Sequence, residues 1–395
     1  MDRIVVTGIG AISAIGNTVA ENRSSLVNSK CGIGRLENFT SKYSDIIPVC
    51  EVRIATEELK EKLDANEPAI TRTTLLALHA MKEALDDSQL NNSEISSFDT
   101  AFINATTVGG MCLTDEMYND SQKDTTGTKY LFSYDYASIS MYLQKRFALK
   151  GQVNTINTAC SSSANAIMYG ARLIRYGKIR RAIVGGVDSL AKFTINGFNA
   201  LHILSKEKCT PFDEDRKGLN LGEGSAFLVL EKESDVIGKK IYAVLSGYAN
   251  ANDSFHASSL SDEGIGPNKA MSDALSNAKL IPSQINFINA HGTATENNDL
   301  VESIAMQRLF EKVPAFASTK ANTGHTLGAA GALEAVYCVL NLLEQELYPA
   351  IHFNKSIPGT GLTPVKSYQK ISLNNIMSNS FGFGGNCTSL IFSKI

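Results

Sequence analysis

The stretch Val153-Asn154-Thr155-Ile156-Asn157-Thr158-Ala159-Cys160-Ser161-Ser162-Ser163-Ala164-Asn165-Ala166 decides how the chain is read. Its first four residues predict a short strand, and from Ser161 onward a helical pattern continues to about Tyr176. A single cysteine therefore stands where a strand turns into a helix. Unpaired backbone N–H groups and the positive end of the helix dipole gather at such a point. The thiol pKa is expected to fall toward neutrality there. The mechanics are those of a nucleophile elbow with sulfur in place of oxygen. A cysteine among alanines is also what a small buried core residue looks like, and the local sequence leaves both readings open.

A second stretch repeats the design. Ala315-Phe316-Ala317-Ser318-Thr319 predicts a strand, and Asn322-Thr323-Gly324-His325 leads from it into Gly328-Ala329-Ala330-Gly331-Ala332. Both helices begin with small or apolar residues on nearly every face. Such helices are buried all round, and small residues allow close approach. Alternating strands and helices with two buried helices imply sheet layers that enclose a helical layer. At 395 residues the chain exceeds the size at which one core keeps growing, so two large halves are expected. The charged run Glu231-Lys232-Glu233-Ser234-Asp235 sets the boundary, giving halves 1–235 and 236–395.

A 43% hydrophobic and 19% charged composition excludes a disordered or fibrous chain. A formal net charge of −3 argues against a nucleic-acid binder. Seven widely spaced cysteines without a Cys-x-x-Cys pair predict reduced thiols in the cytoplasm, with neither a disulfide framework nor a zinc site. Asp2 and the short apolar run after it do not make a signal peptide. No run approaches the roughly 20 apolar residues of a membrane helix; Ala332–Leu343 is interrupted by Glu334 and Asn341. Gly8-Ile9-Gly10 follows a predicted strand, Ile4–Thr7, but Ser13 occupies the position of a third glycine. A tight turn or close packing is the reading, not a dinucleotide site. The polar segment from Thr114 to Thr128 predicts a surface loop or a lid-like insertion.

Three further stretches carry unusual chemistry: Asn289-Ala290-His291-Gly292-Thr293-Ala294-Thr295, Lys320 to Gly331 with His325, and Ser380-Phe381-Gly382-Phe383-Gly384-Gly385-Asn386. With Cys160 they offer a nucleophile, two imidazoles, a cation and a loop of backbone donors, all at strand ends or helix starts, where α/β folds hold their sites. Together with Pro211-Phe212-Asp213-x-x-Arg216-x-Gly218 and Gly222-Glu223-Gly224, these motifs resemble the β-ketoacyl-acyl carrier protein synthases of the elongating Cys-His-His type, over essentially the whole chain and in the family's order.

The resemblance implies a thiolase-like α/β fold of two related halves in five layers, α-β-α-β-α, and a homodimer. It implies an acyltransferase that joins an acyl chain held on Cys160 to a malonyl group with loss of CO2. His291 and His325 are then the catalytic histidines, Lys320 and Glu334 support them, and Cys160 and Phe383 supply oxyanion N–H groups. Phe383 is also the gate, Thr293 and Thr295 contact the pantetheine arm, and Val108 limits the acyl pocket. No metal and no separate cofactor is implied, since the substrates ride on the phosphopantetheine of an acyl carrier protein. Neither nucleic acid nor membrane is an expected partner.

The sequence departs from the housekeeping fatty-acid enzymes at the carrier-docking segment, which here reads Asp64-Ala65-Asn66-Glu67-Pro68-Ala69 instead of a Lys/Arg-rich run; Arg72, Lys206 and Lys208 are candidate substitutes. Gly218–Gly224 and Cys209–Asp213 look closer to synthases of aryl-polyene, flexirubin-type or other polyketide clusters. Within the fold, a thiolase, an initiating Cys-His-Asn synthase and a non-catalytic chain-length partner are the alternatives. The Phe-Gly-Phe-Gly-Gly loop, His325, and the intact Cys160 with both histidines weigh against them in turn.

Overall fold

The computed structural model describes residues 2–123 and 128–395. Its strands are β1 (Ile4–Ser13), β2 (Thr100–Ala105), β3 (Val153–Ile156), β4 (Arg181–Asp188), β5 (Gly224–Lys232), β6 (Ala243–Asn252), β7 (Phe287–Asn289), β8 (Ala315–Ala317), β9 (Glu346–Leu347), β10 (Gln369–Lys370), β11 (Asn375–Phe381) and β12 (Asn386–Ser393). Ten of them follow one hydrogen-bonded order, β3-β2-β4-β5-β1-β6-β12-β11-β7-β8. Read inward from either edge, the order has the same grammar. Two parallel pairings come first, β3–β2 and β2–β4 or β8–β7 and β7–β11, followed by two antiparallel ones. The halves meet where Val5 and Val6 of β1 pair with Val244 and Ala243 of β6.

The helices Ser162–Arg175 and Ala330–Glu344 form the central layer. Each packs on strands of both halves, and they pack on one another. Every residue from Ala330 to Leu342 is buried, as its apolar circumference requires. The helix Arg72–Ser88 covers β1, β4 and β5 from outside. The helix Ile265–Ala278, with Glu296–Leu309 beside it, covers β6, β11 and β12. These are the five layers, in two related halves, that the resemblance implied. Small residues set the spacing: a Cβ on Gly331 would lie 2.8 Å from the Ala164 nitrogen, so the central helices touch at backbone distance.

Several expectations change in detail. β1 continues through Gly8 and Gly10 to Ser13, with a register shift against β5 between Val6 and Gly8 in place of the turn considered for these glycines. Their role is close packing, since a Cβ on Gly10 would meet Ala80 O at 2.1 Å. The polar segment after Leu113 begins as a helix, Thr114–Ser121, and residues 124–127 of the expected loop lie outside the described residues. The helices Thr56–Leu63 and Lys192–Ala200 had no sequence expectation. Their apolar positions are too few for periodicity to detect.

Arg72 is the clearest correction. It is not a surface cation for docking; it is 9% exposed and its guanidinium grips Glu223, itself fully buried. Glu223 also accepts the N–H groups of Val52 (3.0 Å) and Leu190 (3.1 Å). Arg72 in turn donates to the carbonyls of Val52 and Ile54. The pair therefore staples β5 to the 50–54 segment and to the end of β4. Breaking a buried pair strands a charge and costs about 3–5 kcal/mol, a large share of the roughly 5–15 kcal/mol that holds a domain folded. Glu223→Ala is expected to lower the urea unfolding midpoint sharply, measured by circular dichroism.

Candidate active site

The turn that carries Cys160 is built from local constraints. After β3, Ala159 takes φ +54°, a left-handed conformation that turns the chain into the helix starting at Ser162. Ser162 Oγ accepts the Thr158 N–H at 2.8 Å and donates to Ala159 O. Asn386 Oδ1 receives Ser161 Oγ (2.7 Å), Asn165 Nδ2 (2.8 Å) and Asn250 Nδ2 (2.7 Å), which ties the turn to the glycine-rich loop after β11. Cys160 sits in this turn and is 6% exposed.

His291 follows β7. Its own N–H and that of Gly292 both donate to Glu302 at 2.9 Å. Asp299 accepts the N–H groups of Thr293 and Phe212 at 2.9 and 2.7 Å. The two carboxylates share one face of the helix Glu296–Leu309 and hold the loop as a template. Gly292, at φ +37°, has no alternative side chain, because a Cβ would lie 2.6 Å from Phe212 and Ser318. His325 is held by its backbone, which donates to Asn220 O (2.8 Å) and accepts from the Gly222 N–H (2.9 Å). The Gly218–Gly224 motif therefore positions the second imidazole.

These elements bring Cys160, His291 and His325 together. Their donor atoms lie within 4.8 Å of one another, and the two rings meet edge to face with centroids 5.4 Å apart. Lys320 and Glu334 join them as a buried ion pair. The Lys320 ammonium also donates to His291 O and lies 3.3 Å from His291 Nδ1. An ammonium has no acceptor to offer, so His291 Nδ1 is the bare nitrogen and Nε2 carries the proton. His325 follows the same logic: Nδ1 accepts the Leu327 N–H at 3.1 Å, and Nε2 has no partner among the described residues. Burial, then the Lys320 charge, hold both imidazoles well below the usual histidine range; His325 further lowers His291. Two neutral rings thus turn Nε2–H donors toward the cavity. The same donor set occurs around metals, but protonated Nε2 atoms and the adjacent ammonium oppose a cation here.

The thiol departs from its expectation. Burial pushes Cys160 up to about 11, against the lowering effects of the Phe383 N–H and the Lys320 charge. The helix start is present, but desolvation outweighs it, because an unsolvated thiolate is costlier than a partial dipole can offset.

A cavity of about 560 Å³ opens on Cys160 and both histidines. Thr293 and Thr295 line it with their hydroxyls 2.9 Å apart. Arg216 lines it too, and binds the carbonyls of Thr295 (3.3 Å) and Glu296 (2.8 Å). Phe383 closes one side, stacked on Phe198 at 5.8 Å. Val108 does not line this cavity; it is fully buried with Leu190, Ile195 and Leu327. The sequence reading missed Asp188, fully buried, which accepts Thr106 Oγ1 (2.7 Å) and the N–H groups of Val108 (2.8 Å) and Gly328 (2.7 Å). An acid closing an apolar strand was the available signal, as was the i, i+3 spacing of Asp299 and Glu302.

Residues 1–236 match the model of the beta-ketoacyl synthase N-terminal domain, and residues 242–354 that of the C-terminal domain. The 3-oxoacyl-[acyl-carrier-protein] synthase 2 of Vibrio harveyi is 31% identical over 415 residues, covering 100% of this chain and 99% of the relative. Among solved structures, the ishigamide ketosynthase/chain length factor superposes with a TM-score of 0.93 at 27% identity, over 100% of this chain and 99% of that one. The ketosynthase in complex with its chain length factor from Xenorhabdus doucetiae gives 0.87 at 31% identity, over 100% and 98%.

The raised thiol has a direct readout. With a folded pKa of about 11 the thiolate fraction at Cys160 climbs about tenfold per pH unit through the neutral range. Alkylation of Cys160 by iodoacetamide, followed by peptide mass spectrometry from pH 6 to about 9, is expected to accelerate at that slope without a plateau; a plateau near pH 7 would contradict the burial argument.

Proposed function

The chain belongs to the β-ketoacyl synthase family, and from that premise we propose that it is a 3-oxoacyl-[acyl-carrier-protein] synthase that extends an acyl chain by two carbons. The observation that carries the reading is the pair of neutral imidazoles whose Nε2–H groups face the cavity beside the Cys160 sulfur.

In this reading Cys160 attacks the thioester carbonyl of an acyl-acyl carrier protein. The tetrahedral oxyanion is met by the N–H groups of Cys160 and Phe383, and the phosphopantetheine thiol leaves with the cysteine proton. Such backbone donors are each worth roughly 10²–10³ in rate. Acylation removes the high-pKa thiol, so its charge never has to persist unprotected. Malonyl-acyl carrier protein then enters along Thr293 and Thr295. Loss of CO2 leaves electrons on the thioester carbonyl as an enolate, and His291 and His325 donate Nε2–H to that oxygen. The enolate carbon attacks the acyl-cysteine. The second tetrahedral oxyanion collapses, Cys160 departs as a thiolate that takes a proton from water, and a 3-oxoacyl-acyl carrier protein is released. No separate cofactor enters these steps. Lys320, with Glu334, keeps His291 in the donating tautomer and moves no proton itself.

The site draws on both proposed halves: 1–235 carries Cys160, and 236–395 carries the histidines and the Phe383 gate. The docking surface is read from the exposed Lys206, Lys208 and Lys217, since Arg72 is buried and Asp64–Ala69 is not basic. We read the enzyme as cytoplasmic and paired with a second copy. A second reading, a condensing enzyme dedicated to a polyene or polyketide pathway, is favoured by that non-basic segment and by the likeness to ketosynthase/chain length factor structures. Val108 in that setting is a pocket limit that acts from behind the lining. A non-catalytic partner subunit is opposed by the intact Cys160, His291 and His325.

Incubation with acyl-acyl carrier protein is expected to add the acyl mass to Cys160. If no acyl carrier protein transfers its chain to intact enzyme, the reading fails. Cys160→Gln is expected to release CO2 from malonyl-acyl carrier protein without condensing it. His291→Ala is expected to lose decarboxylation by roughly 10²-fold or more, followed as bicarbonate release and product mass. Reconstitution with different carrier proteins and acyl chains distinguishes the two pathways by product profile.

A further inference from the structure

Three thiols that the condensing chemistry does not use meet behind the site. Cys50 and Cys209 belong to one buried cluster with Ala14, Ile33, Ala294 and Ala321, and the partly buried Cys31 packs against it. Each thiol approaches a carbonyl of the same short turn: Cys209 Sγ is 3.5 Å from Lys320 O, Cys31 Sγ 3.6 Å from Ala321 O, and Cys50 Sγ 3.8 Å from Asn322 O. Successive carbonyls of one helical turn point the same way, so the three sulfurs are brought side by side under the segment that begins with Lys320 and ends with His325. Cys31 and Cys209 are close enough to Cys50 to raise its thiol, and Cys31 is close enough to Cys209 to do the same. Further bonds fasten the turn to the same place. Gly32 donates to Asn322 O at 2.8 Å, and Asn322 Nδ2 donates to Lys30 O at 2.9 Å.

The three differ in access and freedom. Cys50 and Cys209 are buried, and Cys31 is partly exposed. Cys31 follows Lys30, which lines a separate surface pocket with Arg53 and Ser24, and Ala14 is common to that pocket and the thiol cluster. Cys50 is wedged: its backbone bonds to Leu221 and Glu223, and its Cβ lies 3.0 Å from where a Cβ on Gly324 would sit. Cys209 is held at its N–H by Asn220 Oδ1, and its thiol has the shortest of the three sulfur-to-carbonyl contacts.

We propose that these cysteines form a thiol switch that is entered at Cys31 and acts on the condensing site through the 320–325 turn. The inference rests on the reading of Lys320 and His325 given above. The oxidant is a low-molecular-weight disulfide. The Cys31 thiolate attacks one of its sulfurs, a mixed disulfide forms, and half of the oxidant leaves as a thiolate. The Cys209 sulfur, giving up its proton, then attacks the Cys31 sulfur, and the second half leaves. Two protein thiols and one small disulfide become one protein disulfide and two small thiols, with the electrons balanced. A bridge removes two S–H···O contacts from the Lys320 and Ala321 carbonyls and draws their sulfurs to bonding distance. The turn above must shift, and with it the ammonium that fixes His291 and the backbone that carries His325. Misplacing a reacting group by about 1 Å costs roughly 10²-fold in rate.

The test uses the Cys160→Gln background, so that the nucleophile cannot itself be oxidised. Oxidised glutathione is added, and disulfide-linked peptides, hydrogen exchange over residues 320–325, and decarboxylation of malonyl-acyl carrier protein are followed. A Cys31–Cys209 linkage is expected, with faster exchange in that segment and a roughly 10²-fold slower decarboxylation that dithiothreitol restores. A Cys31–Cys50 linkage with the same consequences supports the same switch. Cys31→Ser in that background is expected to keep the basal rate and to resist the oxidant. Absence of a linkage at Cys31 overturns the proposal. So does a linkage that leaves exchange and rate unchanged, or loss of activity on oxidation in the Cys31→Ser variant. If untreated Cys160→Gln enzyme fails to decarboxylate, the condensing reading falls instead, and the linkage and exchange data alone decide the switch.

Discussion

The ammonium of Lys320 is 2% exposed, and much of the site depends on how that buried charge is satisfied. A charge taken out of water persists only when it is paired and fully hydrogen-bonded. Here the partners are the Glu334 carboxylate, His291 O and the His291 ring. That arrangement does three things at once. It strips His291 Nδ1 of any proton, it adds charge repulsion to the burial that already keeps both imidazoles neutral, and it links the 320–323 turn to the central helix through Glu334. The direction in which His291 can donate follows from the location of one positive charge.

The same burial works against ionisation of the Cys160 thiol. A dry pocket strengthens each hydrogen bond aimed at an oxyanion, but it also raises the Cys160 thiol to about 11. A site that stored a free thiolate would need a much stronger local field. An acyl-transfer cycle does not need one, because the sulfur is uncharged both before loading and after it. In the proposed reaction the N–H groups that lower the thiol, that of Phe383 above all, are also the ones that meet the tetrahedral oxyanion. Burial therefore favours a site tuned to transient charge over resting charge.

Four buried carboxylates give the loops their shape. Asp188, Glu223, Asp299 and Glu302 are all fully buried, and each accepts backbone N–H groups from a loop at the end of a strand. Irregular backbone cannot satisfy its own donors as a helix or sheet does, and a carboxylate can accept several at once. Burial pushes Glu302 up to about 7 and raises Asp188 and Asp299, yet in each case the N–H donors act in the opposite sense. The precision of the cavity wall is thus electrostatic as much as steric.

The amino-acid sequence by itself determined the layered α/β class, the buried small-residue starts of the two central helices and the motifs that carry the groups proposed to react; the second half of Ser162–Arg175, with Arg172 exposed, is not buried all round as its start implied. Those properties live in local pattern: periodicity, small residues at helix starts, and Cys160, His291, His325 and the Phe383 loop in motifs that resemble one family. It did not reveal that Arg72 is sealed against Glu223, that a polar run folds as the helix Thr114–Ser121, or that β1 continues through its glycines. Those outcomes depend on which distant segment covers a residue. Only the tertiary structure decided the protonation of the site. The thiol at the helix start was read locally as acidified, since the dipole is a local property. Desolvation is set by everything packed around the sulfur, from both halves of the chain, and it is the larger effect.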